Sequence, residues 1–209
     1  MYTKEGLNIC KSKNVRIGVD IDGVICDTRE KIVEVYNKEF ALDYSGEDLK
    51  DYYLENTYGK GTYSVFKKFE WYIYNESQPI KWAKKVLDKL SLSIKLYFIT
   101  ARPKEFQEVT SQWLIKHDFP TGCPVIYTRN KGRACLNYNI NMFIEDHPKY
   151  ATDVTKIGVP VLLFDQPYNR EFSNSDTQRV YNWLDIYNIL HQFEEESFND
   201  RTKFDAGTI

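Results

Sequence analysis

The sequence predicts an α/β fold, a doubly wound parallel sheet with helices on both faces and a small helical cap inserted after the first strand. Short apolar runs alternate with amphipathic stretches along most of the chain, as is typical of such sheets. A segment dense in aromatic residues interrupts the alternation between residues 41 and 79. Acidic, hydroxyl and basic residues follow several apolar runs. Because parallel sheets carry ligand sites at the carboxyl ends of their strands, we expect one site where these residues meet.

The first predicted strand lies within Asn14 to Thr28, NVRIGVDIDGVICDT. Its apolar residues alternate with small or polar ones and run directly into Asp20, Asp22 and Gly23. Residues two apart share a face of a strand, so Asp20 and Asp22 could both face the same ligand. Carboxylates held that close repel one another and require a cation or a shared proton. A divalent metal ion is the simplest answer.

Two other interpretations of this D-x-D-G pattern need weighing. A calcium loop requires Gly at its sixth position and Glu at its twelfth, where this chain has Ile25 and Lys31, so that interpretation fails. An ordinary strand end turned by Gly23 stays open at this point, since short motifs match by chance.

Apolar spacing predicts the elements that follow. The first helix covers Arg29 to Phe40, because Ile32, Val33, Tyr36 and Phe40 share one face. After Pro79 the predicted order is a helix over Trp82 to Leu90, a strand Ile94 to Thr100, a helix Pro103 to His117, a strand Val125 to Thr128, a helix after Gly132, a strand Met142 to Asp146, a helix Lys149 to Ile157 and a strand Val159 to Asp165. The stretch PYNR then leads to a final helix, Val180 to Phe193.

The aromatic insertion divides the chain into two parts. We expect residues 1–26 and 80–196 to form the α/β core, residues 27–79 a small helical cap, and residues 197–209 a frayed tail. Most cap aromatics should form the cap's own small core, while some line a pocket for a flat ligand. The candidates for that pocket are Tyr52, Tyr63, Phe69, Trp71 and Tyr72.

Composition excludes several classes of partner. The 209 residues carry a formal net charge of -2, which offers no basic surface for polymeric nucleic acid. No stretch approaches the roughly 18 apolar residues of a membrane span, and the N-terminus lacks the apolar segment of a signal peptide. We therefore expect a cytoplasmic protein without a membrane partner, and a homodimer stays open.

Cysteines and histidines are dispersed along the chain. No C-x-x-C pair or histidine cluster is present, which favours reduced, inert thiols over zinc ligands or disulfides for Cys10, Cys26, Cys123 and Cys135. His147 follows two acids, and ordinary loop hydrogen bonds are its expected role.

The residues at the predicted strand ends form a set suited to phosphoryl transfer. In such a set one carboxylate attacks phosphorus, a second handles the proton of the leaving group, a hydroxyl and an ammonium hold the phosphoryl oxygens, and a further carboxylate completes a magnesium site. The chain supplies these groups in the order Asp20 and Asp22, Thr100, Lys131, then Glu145 and Asp146.

This order of motifs resembles the haloacid dehalogenase (HAD) superfamily of phosphohydrolases, whose core is Rossmann-type. Within it, TRNK around Lys131 and MFIEDHPK around Asp146 are similar to the 5'(3')-deoxyribonucleotidase family, and the insertion matches that family's helical cap. The resemblance covers roughly Asn14 to Trp183.

The resemblance implies a role for each site residue. Asp20 would be the nucleophile and Asp22 the general acid and base, while Thr100 and Lys131 would hold phosphoryl oxygens. Mg²⁺ would lie between Asp20, the Asp22 carbonyl and Asp146, with Glu145 farther from the ion than these ligands. The substrate would be a small phosphate ester, with a nucleoside monophosphate favoured.

Three positions depart from the family pattern. Ala101 stands where members often carry a hydroxyl, so its backbone N–H would replace a side-chain contact to phosphate. The acid pair is Glu145 and Asp146 rather than two aspartates, and Arg102 adds a cation close to the substrate. Another small phosphometabolite, a signalling receiver domain and a non-catalytic phosphate-binding protein are the alternatives.

Overall fold

The computed structural model describes residues 15–191, which form a parallel sheet with helices on both faces. The sheet order is β3-β2-β1-β4-β5-β6, and every pair of neighbouring strands is parallel. The strands are β1 (Arg16–Val19), β2 (Lys95–Thr100), β3 (Val125–Tyr127), β4 (Met142–Glu145), β5 (Val161–Phe164) and β6 (Thr177–Val180). The doubly wound α/β fold predicted from the sequence is confirmed.

Helices follow most of these strands. They are α1 (Thr28–Phe40), α2 (Leu54–Tyr58), α3 (Thr62–Glu76), α4 (Ala83–Leu90), α5 (Gln107–Lys116), α6 (Lys131–Asn137), α7 (Pro148–Thr155) and, over residues 183–191, α8. Short 3-10 turns cover Gly46–Asp48, Lys104–Phe106 and Pro167–Asn169. None of the helices within residues 15–191 is long and apolar enough to cross a membrane.

Both faces of the sheet are buried. Alternate strand residues enter two separate cores: Phe98 packs with Trp113 and Trp183 on one face, whereas Tyr97 and Ile99 belong to the core on the other. Burying one such side chain stabilises the fold by about 1.5–3 kcal/mol. The two cores therefore hold the sheet rigidly, and with it the residues at the strand ends.

The cap, built from α1, α2 and α3, has a small aromatic core. The ring of Tyr36 lies 4.8 Å from that of Tyr58, and its hydroxyl donates to the carbonyl of Thr62 at 2.8 Å. Val109 of α5 joins the same cluster, so the cap packs on the core domain.

The chain leaves the core for the cap and returns at adjacent points. The N–H of Asp27 donates to the carbonyl of Gln78 at 2.8 Å, and the N–H of Ile80 donates to that of Ile25 at 2.8 Å. This pairing supports our proposal that the cap covers residues 27–79.

The region after β5 differs from the sequence expectation. Val180, predicted to begin the last helix, instead ends β6, which pairs with β5, and α8 starts only at residue 183. The sequence did not predict the strand TQRV because it lies at the edge of the sheet and three of its four side chains are polar, so it lacks the apolar pattern of a buried strand. The predicted helix end at Phe193 and the tail lie outside the described residues.

Two helix starts also differ. The predicted helix from Pro103 begins as a 3-10 turn and becomes α-helical at Gln107. Lys131 is itself the first residue of α6, because Asn130 caps that helix by accepting from the N–H of Arg133 at 3.0 Å. Cys26, Cys123 and Cys135 are free thiols, as expected, and Cys10 lies outside the described residues.

Candidate active site

Four neighbouring strands end at one point of the sheet edge. Asp20 follows β1, Thr100 ends β2, and Glu145 ends β4 directly before Asp146. Lys131 follows β3 at the start of α6. All five side chains are buried, which is unusual for charged residues unless they are paired. The structure therefore places these five predicted residues at one edge of the sheet.

Lys131 lies between two carboxylates. Its Nζ is 2.7 Å from Oδ2 of Asp20 and 2.7 Å from Oε2 of Glu145, and it lies over the ring of Tyr150 at 4.6 Å from the ring centre. Burial by itself lowers the pKa of Lys131, but Asp20 and Glu145 outweigh that effect and raise it above its usual value. The ammonium therefore stays charged next to Asp20.

Glu145 uses its carboxylate to organise its neighbours. Its second oxygen, Oε1, accepts hydrogen bonds from the N–H groups of Asp146 at 3.1 Å and His147 at 2.9 Å. Burial raises the pKa of Glu145 to about 7, although Lys131 opposes this shift. His147 in turn makes the ordinary bond expected of it, since its Nδ1 accepts from the N–H of Lys149 at 3.0 Å.

An acidic cluster here has the composition of a site for a hard cation. Three carboxylate oxygens lie within 4.8 Å of one another, one each from Asp20, Glu145 and Asp146. Oδ1 of Asp20 is buried and has no hydrogen-bond partner among the described residues. Burial, and then Asp20, raises the pKa of Asp146 to about 7. A bound cation would neutralise this cluster, and an all-oxygen donor set fits Mg²⁺ better than zinc.

Gly23 allows both the turn after β1 and the close approach of the acidic cluster to the backbone. Its φ of 74° is one that glycine adopts readily, and a Cβ at this position would overlap Oδ2 of Asp146. The D-x-D-G pattern thus marks a close approach of backbone to the acidic cluster, which an ordinary strand end does not require.

Asp22 is paired with Arg102. Nε of Arg102 donates to Oδ2 of Asp22 at 2.9 Å, and Nη2 donates to Oδ1 at 2.7 Å. The guanidinium also stacks on the ring of Tyr74 in the cap, 4.1 Å from its centre. Burial lowers the pKa of Arg102, but Asp22 outweighs it and raises the pKa above its usual value. We expected Arg102 to contact the substrate. The structure adds a contact that the sequence did not suggest, because the guanidinium of Arg102 holds the carboxylate of Asp22.

Thr100 and Ala101 follow one another at the end of β2. The hydroxyl of Thr100 is buried and accepts from the N–H of Arg102 at 3.1 Å. Ala101 lines the cavity beside Asp20 and Asp22.

A cavity of about 740 Å³ lies between this edge of the sheet and the cap. Of the five aromatic candidates, Tyr52 and Tyr63 line it. Phe69, Trp71 and Tyr72 do not line it, and Phe69 packs in the cap core. Exposure does not separate the two groups, because Tyr52, Tyr63, Trp71 and Tyr72 are all exposed. Helix geometry explains the difference, since residues of α3 spaced by three or four share a face. The cavity-facing side of α3 carries Tyr63, Phe66, Lys67, Glu70, Ile73 and Tyr74.

Sequence reasoning missed one residue at the acidic cluster. The hydroxyl of Tyr168 donates to Oδ2 of Asp146. Tyr168 lies in the PYNR stretch, for which the sequence suggested no role. Its position at the end of a parallel strand was the signal that could have identified it.

The fold agrees with that of the proteins to which the chain is similar. Residues 13–194 match the family model described as "5' nucleotidase, deoxy (Pyrimidine), cytosolic type C protein". A protein of Clostridium acetobutylicum named as a nucleotidase is 30% identical over 197 residues, which cover 92% of this chain and 98% of that protein.

Solved structures resemble the fold at low sequence identity. A haloacid dehalogenase-like hydrolase of Streptococcus pneumoniae has a TM-score of 0.61 at 15% identity, covering 85% of this chain and 99% of its own. A HAD family hydrolase of Deinococcus radiodurans, solved with bound phosphate and sodium, has a TM-score of 0.64 at 12% identity, covering 87% of this chain and 97% of its own. This chain therefore belongs to the HAD-like family of 5'-nucleotidases whose model is described as deoxy (pyrimidine), cytosolic type C.

Proposed function

We propose that the protein is a Mg²⁺-dependent phosphatase that releases phosphate from nucleoside monophosphates through an aspartyl-phosphate. The main support for this proposal is the environment of Asp20, which lines the cavity. Lys131 holds one of its carboxylate oxygens, and the other has no hydrogen-bond partner among the described residues. A carboxylate held in this way is suited to attack a phosphorus atom placed in the cavity.

Two displacements complete the reaction. In the first, an oxygen of Asp20 bonds to phosphorus, the bond from phosphorus to the ester oxygen breaks, and Asp22, protonated on an oxygen that Arg102 has released, gives its proton to the departing oxygen. In the second, Asp22 removes a proton from water, whose oxygen bonds to phosphorus while the bond to Asp20 breaks. Inorganic phosphate leaves and both aspartates return to their starting state.

Arg102 and Lys131 have different tasks in this scheme. Arg102 holds both oxygens of ionised Asp22 and so fixes the plane of the group that transfers the proton. For Asp22 to carry the proton, one of these oxygens has to leave Arg102. It also lines the cavity, where its positive charge would act on the phosphoryl group. Lys131 offsets the repulsion between Asp20 and a dianionic substrate, a contribution that matters most in the transition state. The hydroxyl of Thr100 and the N–H of Ala101 are the proposed donors to the phosphoryl oxygens.

The acidic cluster is the proposed metal site. Carboxylate oxygens of Asp20 and Asp146 and the backbone carbonyl of Asp22 would hold Mg²⁺, with Glu145 behind them as the partner of Lys131. Bound there, the ion supplies positive charge to the phosphoryl oxygens.

The cap would contribute the recognition of the leaving group. Tyr52 and Tyr63 line the cavity on the cap side, where an aromatic ring can stack on a nucleobase. We also propose that the enzyme acts in the cytoplasm. Family membership argues against the receiver and non-catalytic alternatives, whereas another small phosphate ester remains the competing substrate.

A substrate screen tests the proposal. Phosphate release should be measured with and without Mg²⁺ on ribonucleoside and deoxyribonucleoside monophosphates, sugar phosphates and other phosphorylated metabolites. We expect nucleoside monophosphates to give the highest kcat/KM and chelation to abolish turnover. A clear preference for sugar phosphates would replace the nucleotide part of the proposal, and full activity after exhaustive chelation would remove the metal.

A further inference from the structure

The turn after β5, with sequence Asp-Gln-Pro-Tyr-Asn over residues 165–169, contacts the acidic cluster from outside it. The turn is firmly built. Pro167 begins its 3-10 segment, and the N–H of Gln166 donates to Oδ1 of Asn169 at 3.2 Å. Nδ2 of Asn169 donates to the carbonyl of Phe164 at 2.8 Å, and Arg179 of β6 donates to Oδ1 of Asn169 at 2.6 Å. Both Gln166 and Asn169 are buried, so the turn is fixed to the sheet.

Three hydrogen bonds run from this turn to the site. Nε2 of Gln166 donates to the carbonyl of Gly23 at 2.7 Å. Nδ2 of Asn169 donates to the carbonyl of Asp146 at 2.7 Å, and the hydroxyl of Tyr168 donates to the carboxylate of the same residue. The turn therefore fixes both the backbone and the side chain of Asp146.

We propose that Tyr168 is a positioning residue that orients the Asp146 carboxylate and thereby sets the affinity of the site for its metal ion. This inference rests on the proposed function, which makes Asp146 a metal ligand. A carboxylate is free to rotate about its Cβ–Cγ bond, and a hydroxyl donor on one oxygen fixes its plane. Outer hydrogen-bond partners of this kind orient metal ligands, and their loss typically costs about 10–100-fold in affinity.

The same tyrosine also contacts the cap. Its ring lies 5.7 Å from that of Tyr52, and Tyr52 in turn lies 3.8 Å from the ring of His147. The next residue, Arg170, pairs with Glu47 of the cap at 2.6 Å. Tyr168 thus links the cap segment that carries Tyr52 to a residue of the acidic cluster.

Replacing the hydroxyl alone isolates this role. In Tyr168→Phe the ring can keep its packing against Tyr52 while Oδ2 of Asp146 loses its donor. Mg²⁺ binding to the full chain should be measured by isothermal titration calorimetry in the absence of substrate, beside wild type and the matched control Tyr181→Phe, which changes an exposed tyrosine away from the cavity. We expect Mg²⁺ to bind Tyr168→Phe about 10–100-fold more weakly and Tyr181→Phe as tightly as wild type.

Two further readouts separate positioning from a loss of structure. The thermal unfolding temperature without metal should match wild type, and the rate on p-nitrophenyl phosphate should recover when Mg²⁺ is raised to saturation. Unchanged or tighter Mg²⁺ binding by Tyr168→Phe, an equal loss in Tyr181→Phe, or a rate that excess Mg²⁺ fails to restore would overturn the inference alone. A wild-type protein that binds no Mg²⁺ would overturn the metal role together with it.

Discussion

Arg102 holds both carboxylate oxygens of Asp22, through Nε at 2.9 Å and Nη2 at 2.7 Å. A bidentate pair of this kind fixes the plane of the carboxylate as well as its charge. The same guanidinium stacks on Tyr74 of α3, so the proposed proton-transfer group is connected to the cap.

Replacing Arg102 by lysine should lower turnover, because an ammonium cannot hold two oxygens in one plane. We expect kcat on a nucleoside monophosphate to fall on the order of 10–100-fold, which is part of the 10²–10⁴ typical of a well-placed proton donor. Steady-state kinetics check this, with the exposed Arg133→Lys in α6 as the matched control. Equal activity of the two variants would show that the pairing of Arg102 with Asp22 is irrelevant to turnover.

Asp22→Asn should reveal the acid role through its dependence on the leaving group. The loss on an alkyl phosphate such as a nucleoside monophosphate should approach roughly 10²–10⁴-fold, since its alkoxide needs a proton to depart. The loss on the first step with p-nitrophenyl phosphate, whose phenolate leaves unaided, should be smaller in single-turnover experiments. Identical losses on the two substrates would place Asp22 outside proton transfer.

Lys131→Met should slow turnover and also weaken the fold, because Asp20 and Glu145 would be left buried without their shared cation. Breaking a buried pair in this way costs about 3–5 kcal/mol. The double variant Lys131→Met/Glu145→Gln removes one uncompensated charge and should regain part of the free energy of unfolding, measured in urea, while turnover stays low. Normal turnover in either variant would contradict the role given to Lys131.

Alanine at the cavity tyrosines tests nucleobase recognition. Tyr52→Ala or Tyr63→Ala should raise KM for a nucleoside monophosphate and spare p-nitrophenyl phosphate, since base stacking on an aromatic ring contributes about 1–3 kcal/mol. Trp71→Ala, on the exposed side of α3, should behave as wild type with both substrates. If both tyrosine variants lost activity equally on the two substrates, or lost none, the cap would be a lid without a base site.

Much of the site could be predicted because it depends on local patterns and on topology. Asp20, Lys131, Glu145 and Asp146 each lie at a strand end, and parallel strands bring such ends together whatever the details of packing. The contacts of Arg102 and Tyr168 depend on how distant segments meet, since Arg102 is 80 positions from Asp22 and Tyr168 is 22 from Asp146.

The features that the sequence left open or missed have equally physical causes. Phe69, Trp71 and Tyr72 were candidates because they are aromatic. The face of α3 that lines the cavity instead carries Tyr63, Glu70 and Tyr74, and residue type alone does not show which face that is. The strand β6 was missed because an edge strand needs few apolar residues. Its Arg179, for example, donates hydrogen bonds to Asp165 and Asn169.

Asp20 is the proposed nucleophile of a Mg²⁺-dependent phosphatase. Phosphate release from a nucleoside monophosphate should be compared for wild type and Asp20→Asn at saturating Mg²⁺, with circular dichroism to establish that the variant is folded. We expect wild type to turn over and to stop when Mg²⁺ is chelated, and folded Asp20→Asn to release no phosphate above background. Undiminished phosphate release by Asp20→Asn would contradict the account.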